Sequence, residues 1–147
     1  MSAPRVAEAA HAWRAFFETL TPDNVGAITD LTTADVRFSD PFNDTTGPKA
    51  LMAVFRHMFL SIDRPRFAID ALALDGERAL YRWTFTGRLR RWGTPMVIKG
   101  MSEVRFAPDG RVIAHTDHWD AASQVLARLP VVGRAVRVLL RCLAAKS

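Results

Sequence analysis

The stretch Ala79-Leu80-Tyr81-Arg82-Trp83-Thr84-Phe85-Thr86-Gly87-Arg88 decides the fold. Ala79, Tyr81, Trp83 and Phe85 alternate with Arg82, Thr84, Thr86 and Arg88. A period of 2 marks a strand with one face turned to a core. The same period continues on both sides. Upstream, Phe67 and Ile69 alternate with Arg66, Ala68 and Asp70, and the segment ends at Asp75-Gly76. Downstream of Trp92-Gly93, Met96, Ile98, Gly100, Ser102, Val104 and Phe106 alternate with Lys99, Met101, Glu103 and Arg105. Asp109-Gly110 then turns the chain into a last strand from Arg111 to Trp119. Long strands joined by short turns predict an antiparallel meander.

Helical patterning precedes the meander. Val6, Ala9, Ala10, Trp13, Phe16, Phe17 and Leu20 recur at helical spacing over about residues 3–20. Thr21-Pro22-Asp23 breaks that helix and opens a short second one ending near Leu31. Thr32-Thr33-Ala34-Asp35 reads as a turn, and Val36–Asp40 as a short strand stopped by Pro41. Pro48 starts a third helix that runs to about Ser61 with Leu51, Met52, Phe55, Met58 and Phe59 on its apolar face. Asp63-Arg64-Pro65 separates it from the meander. Helices followed by a meander predict an α+β domain, with helices on one face of a curved sheet and an apolar cavity between the layers.

At 147 residues the chain is long enough for one sizeable core. No apolar run approaches the roughly 20 residues that span a bilayer. Met1-Ser2-Ala3-Pro4-Arg5 lacks the apolar core of a secretory signal. The single cysteine, Cys142, fits a reducing cytoplasm. Neither zinc-type spacing nor a Gly-rich phosphate loop is present, so no metal and no cofactor are expected.

The net charge of +5 is unevenly placed. Residues 1–120 hold fifteen Lys/Arg and fifteen Asp/Glu, whereas residues 121–147 hold Arg128, Arg134, Arg137, Arg141 and Lys146 and no acid. The basic character belongs to one segment, so no nucleic-acid partner is expected. Leu129-Pro130-Val131-Val132-Gly133 interrupts a helix begun near Ala121, and a second helical stretch runs from about Arg134 to Ala145. The chain divides accordingly into a domain at 1–128 and a basic amphipathic C-terminal helix at 129–147. On that helix Arg134, Arg137 and Arg141 share one face, and Val136, Leu139, Leu140 and Leu143 the other. Such a helix either packs its leucines on the domain or a dimer mate, or lies on an anionic membrane surface.

In the last strand, alternation places His115, Asp117 and Trp119 on one face and Thr116, His118 and Asp120 on the other. Residues i and i+2 sit roughly 6–7 Å apart at the backbone. His115 and Asp117 can therefore share a water or a substrate proton, or form a polar wall satisfied by neighbouring strands. Asp40 is either a general base in an apolar cavity or a helix-capping or turn aspartate before Pro41. Asp120, ahead of Ala121-Ala122-Ser123, suits a helix cap.

Phe38-Ser39-Asp40-Pro41-Phe42 after the second helix, Gly47 opening the third, and Gly110-Arg111-Val112-Ile113 leading to Trp119-Asp120 carry a family resemblance. Over about residues 3–122 the chain resembles the nuclear transport factor 2-like superfamily, in its SnoaL-like and ketosteroid isomerase-like branch. The resemblance implies a cone-shaped, cystatin-like domain whose curved antiparallel sheet wraps N-terminal helices, with a pocket at the open end. It also implies a homodimer joined through the sheet. In ketosteroid isomerases the aspartate of the strand-ending Asp-Pro is the base, a position held here by Asp40. Their oxyanion donors fall near Phe16 and at Ser102. Phe16 donates no hydrogen bond and Ser102 offers only a neutral hydroxyl, and losing one such donor costs about 100-fold or more in rate. Ordinary ketosteroid isomerase activity is therefore not expected. SnoaL-like cyclases use acid/base residues of the last strands without a cofactor, which His115 and Asp117 match. Limonene epoxide hydrolases need an Asp-Arg-Asp network; Asp40, Asp117 and Arg82 approximate it, but Arg82 faces away from Tyr81 and Trp83.

The expected catalytic residues are Asp40, His115 and Asp117. The expected pocket residues are Trp13, Phe16, Phe55, Phe59, Trp83, Ser102 and Trp119. Two classes of function remain open: a cofactor-independent isomerase, cyclase or hydrolase acting on a small hydrophobic molecule, and a non-catalytic ligand-binding or dimeric interaction module with possible membrane contact through residues 129–147.

Overall fold

A computed structural model describes residues 3–145; Met1-Ser2 and the tail cation Lys146 lie outside the described residues. The first helix, α1 (Ala3–Glu18), buries Val6, Ala10, Trp13, Phe16 and Phe17 along one stripe and leaves Arg5, Glu8 and His11 exposed. A 3-10 turn (Val25–Ala27) leads into α2 (Ile28–Leu31), then β1 (Thr32–Ser39) and β2 (Asp44–Thr46). Helix α3 (Pro48–Ser61) starts with Pro48 in its first turn, after Gly47 at φ 90°. That backbone conformation favours glycine. Leu51 and Phe55 form the buried stripe of α3.

The meander follows as β3 (Ile62–Asp75), β4 (Arg78–Leu89), β5 (Thr94–Phe106) and β6 (Val112–Trp119). The six strands form a curved, unclosed sheet in the order β2-β1-β6-β5-β4-β3. The α+β architecture is as the sequence predicts. The sheet is not antiparallel throughout, however, because β1 joins β6 in parallel, with Phe38 opposite His115. A parallel pair needs a long connection; here α3 and the rest of the meander supply it.

Two predicted breaks are strands. Thr32 is buried, donates its hydroxyl to the Ile28 carbonyl (2.7 Å) and pairs with Val112. The register then shifts before Arg37, so the turn residues Thr33–Asp35 are absorbed as an irregularity within β1. Asp63-Arg64-Pro65 lies inside β3 as a bulge, with Arg64 at φ 48° and the register shifting between Asp63 and Arg66.

The core fills the space between α1, α3 and the concave face of the sheet. Tyr81, Trp83, Phe85, Ile98, Val104 and Phe106 all point into it. After β6, the Asp120 side chain accepts the Ser123 amide (3.1 Å) and caps α4 (Ala121–Gln124). A 3-10 turn (Leu126–Arg128) follows. Val131 then takes φ 67°, ψ −63°, with the Val132 amide bonded to the Pro130 carbonyl. This is a γ-turn, a strained conformation for a β-branched residue. It redirects the chain into α5 (Val132–Leu143), which packs back on the Leu126–Arg128 turn. Among the described residues, no helix is long and apolar enough to cross a membrane.

Candidate active site

Alternation along β4, β5 and β6 brings Trp83, Ser102, His115 and Asp117 to the concave face, and α1 presents Trp13 to them from across the core. They form a continuous hydrogen-bonded chain. Trp13 Nε1–H donates to His115 Nδ1 at 3.0 Å. That nitrogen accepts, so the ring proton sits on Nε2, which donates to Asp117 Oδ1 at 2.7 Å. The Ser102 hydroxyl donates to the same oxygen at 2.5 Å, and Trp83 Nε1–H donates to Ser102 Oγ at 2.7 Å. Ser102 and Asp117 are direct cross-strand partners, which fixes this contact by register.

His115 is 3 % exposed and is wedged among the rings of Trp13, Phe17 and Phe38. Both of its nitrogens are engaged. Asp117 is different. Its Oδ1 takes two hydrogen bonds, while Oδ2 has no partner among the described residues and is not sealed from solvent. The geometry is that of a carboxylate clamped at one oxygen and free at the other.

Two cavities meet at this carboxylate. An inner recess of ≈ 20 Å³ is bounded by Trp13, Tyr81, Trp83, Ser102, His115 and Asp117. A larger cavity of ≈ 600 Å³, open to solvent, is walled by Phe38, Phe55, Phe67, Trp83, Trp119 and Asp117. Its lining is mostly apolar with few polar groups, the usual make-up of a small-molecule site. Tyr81 donates its hydroxyl to the Ala10 carbonyl at 2.9 Å, and burial pushes its pKa upward. It is a structural tie between β4 and α1.

Asp40 lies on the wall of the larger cavity, but its carboxylate is bound by its own loop. Oδ1 accepts the amides of Phe42 and Asn43, each at 2.7 Å, and the Asn43 side-chain amide reaches both oxygens at 3.0 Å. The structure thus joins His115 and Asp117 directly and puts Asp40 in the same cavity as Asp117, as the anchor of the loop at residues 41–43. Of the expected pocket residues, Phe55, Trp83 and Trp119 line the larger cavity, and Trp13, Trp83 and Ser102 line the inner recess. Phe16 stacks on Trp13 (5.4 Å) within the core, and Phe16 and Phe59 line neither cavity. Arg82 pairs with Asp70 on the outer face at 2.8 Å, away from both cavities. Sequence reasoning passed over Phe38, Phe67, Phe85 and Ile98 as cavity walls. The last three share the inward alternation of Trp83, and that was the signal available.

Gly100 makes the site possible. It lies between Trp83 and Trp119 in register, and a Cβ there would stand 2.5 Å from two Trp83 ring carbons. Its bare backbone lets the Trp83 indole lie across β5 and reach Ser102. Among the described residues, no cluster of three metal-ligating side chains exists.

No curated protein sequence matches the chain. Solved structures do. A protein of Jannaschia sp. CCS1 named as a SnoaL-like polyketide cyclase superposes with a TM-score of 0.74 at 15% identity, over 90% of this chain and 96% of that one. A Catenulispora acidiphila protein with a ketosteroid isomerase-like fold, solved with trimethylamine, gives 0.69 at 18% identity over 86% and 93%. AclR of Streptomyces galilaeus, named as a hydroxylase, gives 0.69 at 16% identity over 97% and 93%. At these identities the likeness is one of fold. The family model for the SnoaL-like domain matches residues 13–115, from the Trp13 that donates to the hydrogen-bonded chain to the His115 that accepts from it, and the protein belongs to the SnoaL-like domain family.

Proposed function

We propose that the protein is a cofactor-independent acid–base enzyme acting on a small, apolar, carbonyl-bearing molecule, with Asp117 as its general base. The observation that carries this reading is the half-clamped carboxylate: His115 and Ser102 orient Oδ1, and the free oxygen belongs to a residue on the wall of a ≈ 600 Å³ apolar cavity. A base works from a fixed position within reach of the proton it removes. Asp117 takes a proton from the carbon beside the carbonyl, and the bonding pair moves to the carbonyl oxygen. In an unsaturated ketone the resulting dienolate takes the proton back from Asp117 at its distal carbon and the double bond shifts, an isomerisation. Alternatively the enolate carbon bonds to a second carbonyl carbon, whose π pair becomes an alkoxide that takes the proton from Asp117, a cyclisation. Trp119 lines the same cavity, and its indole N–H, unpartnered among the described residues, is available to a ligand oxygen. The polyketide cyclase name borne by a neighbour of the same fold supports a ring-forming substrate class. His115 and Ser102 are positioning residues in this scheme, and Asp40 holds the rim.

Exchange of carbon-bound hydrogen tests the reading without a known substrate. In deuterated buffer, a panel of bicyclic and tricyclic ketones is followed by NMR with the wild type and with Asp117→Asn. The expected result is exchange beside the carbonyl of at least one bound ketone, reduced about 100-fold or more in the variant. Binding without exchange would favour the second reading, a ligand carrier, for which the apolar, aromatic-walled cavity suffices. Leu80, Val97 and Met101, exposed on the outer face of the sheet, support a homodimer joined there, which sedimentation velocity reads directly.

A further inference from the structure

We propose that the outward face of α5, with the arginines along its edge, is a docking surface for an anionic lipid bilayer. The sequence divides α5 into a basic and an apolar face, and the structure divides the apolar residues again. Gly133 presses on the Ala127 carbonyl, where a Cβ would come within 2.5 Å, and Val136 and Leu140 are half-buried against the body. Arg137 also turns inward and donates to the Ala127 carbonyl. The remaining apolar residues face out. Val132, Ala135, Leu139 and Cys142 follow at spacings of three and four residues, so they form one stripe. Val138 and Leu143 border it. Leu139 is 60 % exposed and Leu143 76 %. A contiguous exposed apolar stripe of this kind marks a contact with a membrane or another protein.

The charge around the stripe selects the occupant. Arg134 and Arg141, one heptad apart, run along its Val138 edge, and residues 121–147 contain no acid. An amphipathic helix with a cationic border and no acids matches an anionic headgroup layer above an acyl region. A second copy matches it less well. Antiparallel pairing of two α5 helices would set Arg134 and Arg141 of one copy beside those of the other, and the segment has no carboxylate to separate them.

The turn between β4 and β5 extends the same end of the molecule. Leu89, Thr94 and Met96 line one small cavity together with Arg128 and Leu129, and Gln124 bonds both backbone groups of Lys99. That turn carries Arg90 and Arg91 and a half-exposed Trp92 beneath the Arg91 guanidinium, at 5.3 Å. Tryptophan and arginine are favoured at the membrane–water boundary. Val125, Leu89 and Met96 also line the ≈ 600 Å³ cavity. Docking through α5 therefore sets a cavity wall close to the lipid, the natural reservoir of an apolar ligand. The proposal does not depend on turnover at Asp117.

The test is co-sedimentation of the full chain with vesicles of phosphatidylglycerol and phosphatidylcholine, against vesicles of phosphatidylcholine alone. The expected result is binding to the anionic vesicles only, released at about 1 M salt, where charge attraction reaches only about 3 Å. Arg134→Gln with Arg141→Gln, and separately Leu139→Glu, each weaken binding about tenfold or more. All three positions are exposed, and an unchanged thermal transition verifies that the fold is retained. Absence of binding, equal binding to both vesicle types, or full binding by the arginine variant overturns the proposal. So does a dimer that Leu139→Glu dissolves in a protein that ignores vesicles, since a second copy would then be the occupant.

Discussion

Trp13 and His115, 102 residues apart in sequence, meet at 3.0 Å, with the indole N–H of α1 donating to the imidazole of β6. This bond sets the tautomer that points the ring proton at Asp117. Trp13→Phe shortens the packed ring and leaves His115 Nδ1 buried without a donor, the latter alone a loss of about 1–3 kcal/mol. Urea denaturation is expected to show that loss. Nitrogen-15 NMR of the imidazole is expected to show the proton no longer confined to Nε2; an unchanged tautomer would mean that Asp117 alone sets it.

Gly100→Ala places a methyl group where the Trp83 ring now lies. Neither the backbone of β5 nor the neighbouring Trp119 Cβ, 3.0 Å away, leaves room for it. The expected cost is about 1–3 kcal/mol from overpacking. The Trp83 indole N–H resonance is expected to shift as its bond to Ser102 breaks. A variant with wild-type stability and spectrum would show that the indole has slack.

Asp40 and Asp117 line one cavity but have different surroundings, so the two asparagine variants should separate. Asp40→Asn loosens the loop at 41–43 at a cost of about 1 kcal/mol and lowers the exchange of a bound ketone by less than about tenfold. Asp117→Asn lowers it by about 100-fold or more with little change in stability, because the amide oxygen still accepts from Ser102 and His115. The reverse order of effects would make Asp40 the base.

Hydrogen bonds from the Ser123 hydroxyl and amide hold the Asp120 carboxyl below its ordinary value of 3.8. The folded chain therefore binds this proton less tightly than the unfolded chain does. The cap stabilises α4 at all pH values above about 4 and loses its effect as pH falls toward the lower folded value. Asp120→Ala is expected to cost about 1 kcal/mol at pH 7 and progressively less below pH 4. Thermal melts of both proteins across that range measure the difference.

Period 2 is a local signal, and it was legible. Tyr81, Trp83, Phe85, Ile98, Ser102, Val104 and His115 are all buried on the face that alternation assigns them. The Asp117 side of β6 could be read in the same way. What could not be read was which groups meet across the core. Nothing near Trp13 says that its indole ends at His115, and nothing in Thr32–Ser39 says that β1 lies beside β6 in parallel. Those contacts depend on how the sheet curves round α1, a property of the whole chain. Asp40 is an intermediate case. The run Asp40-Pro41-Phe42-Asn43 has turn chemistry in its own residues, yet only the structure shows both carboxylate oxygens engaged.

The hydrogen-bonded chain draws one residue from the first helix, one from β4, one from β5 and two from the last strand. One of its contacts, Trp13 to His115, spans 102 residues, and closing a loop that long slows folding. During synthesis no earlier fragment contains a site, because His115 and Asp117 emerge after nearly all the rest. Local opening of α1 alone would unmake it. Ligand binding should then report on complete folding, and a bound ligand should protect α1 and β6 together from hydrogen exchange.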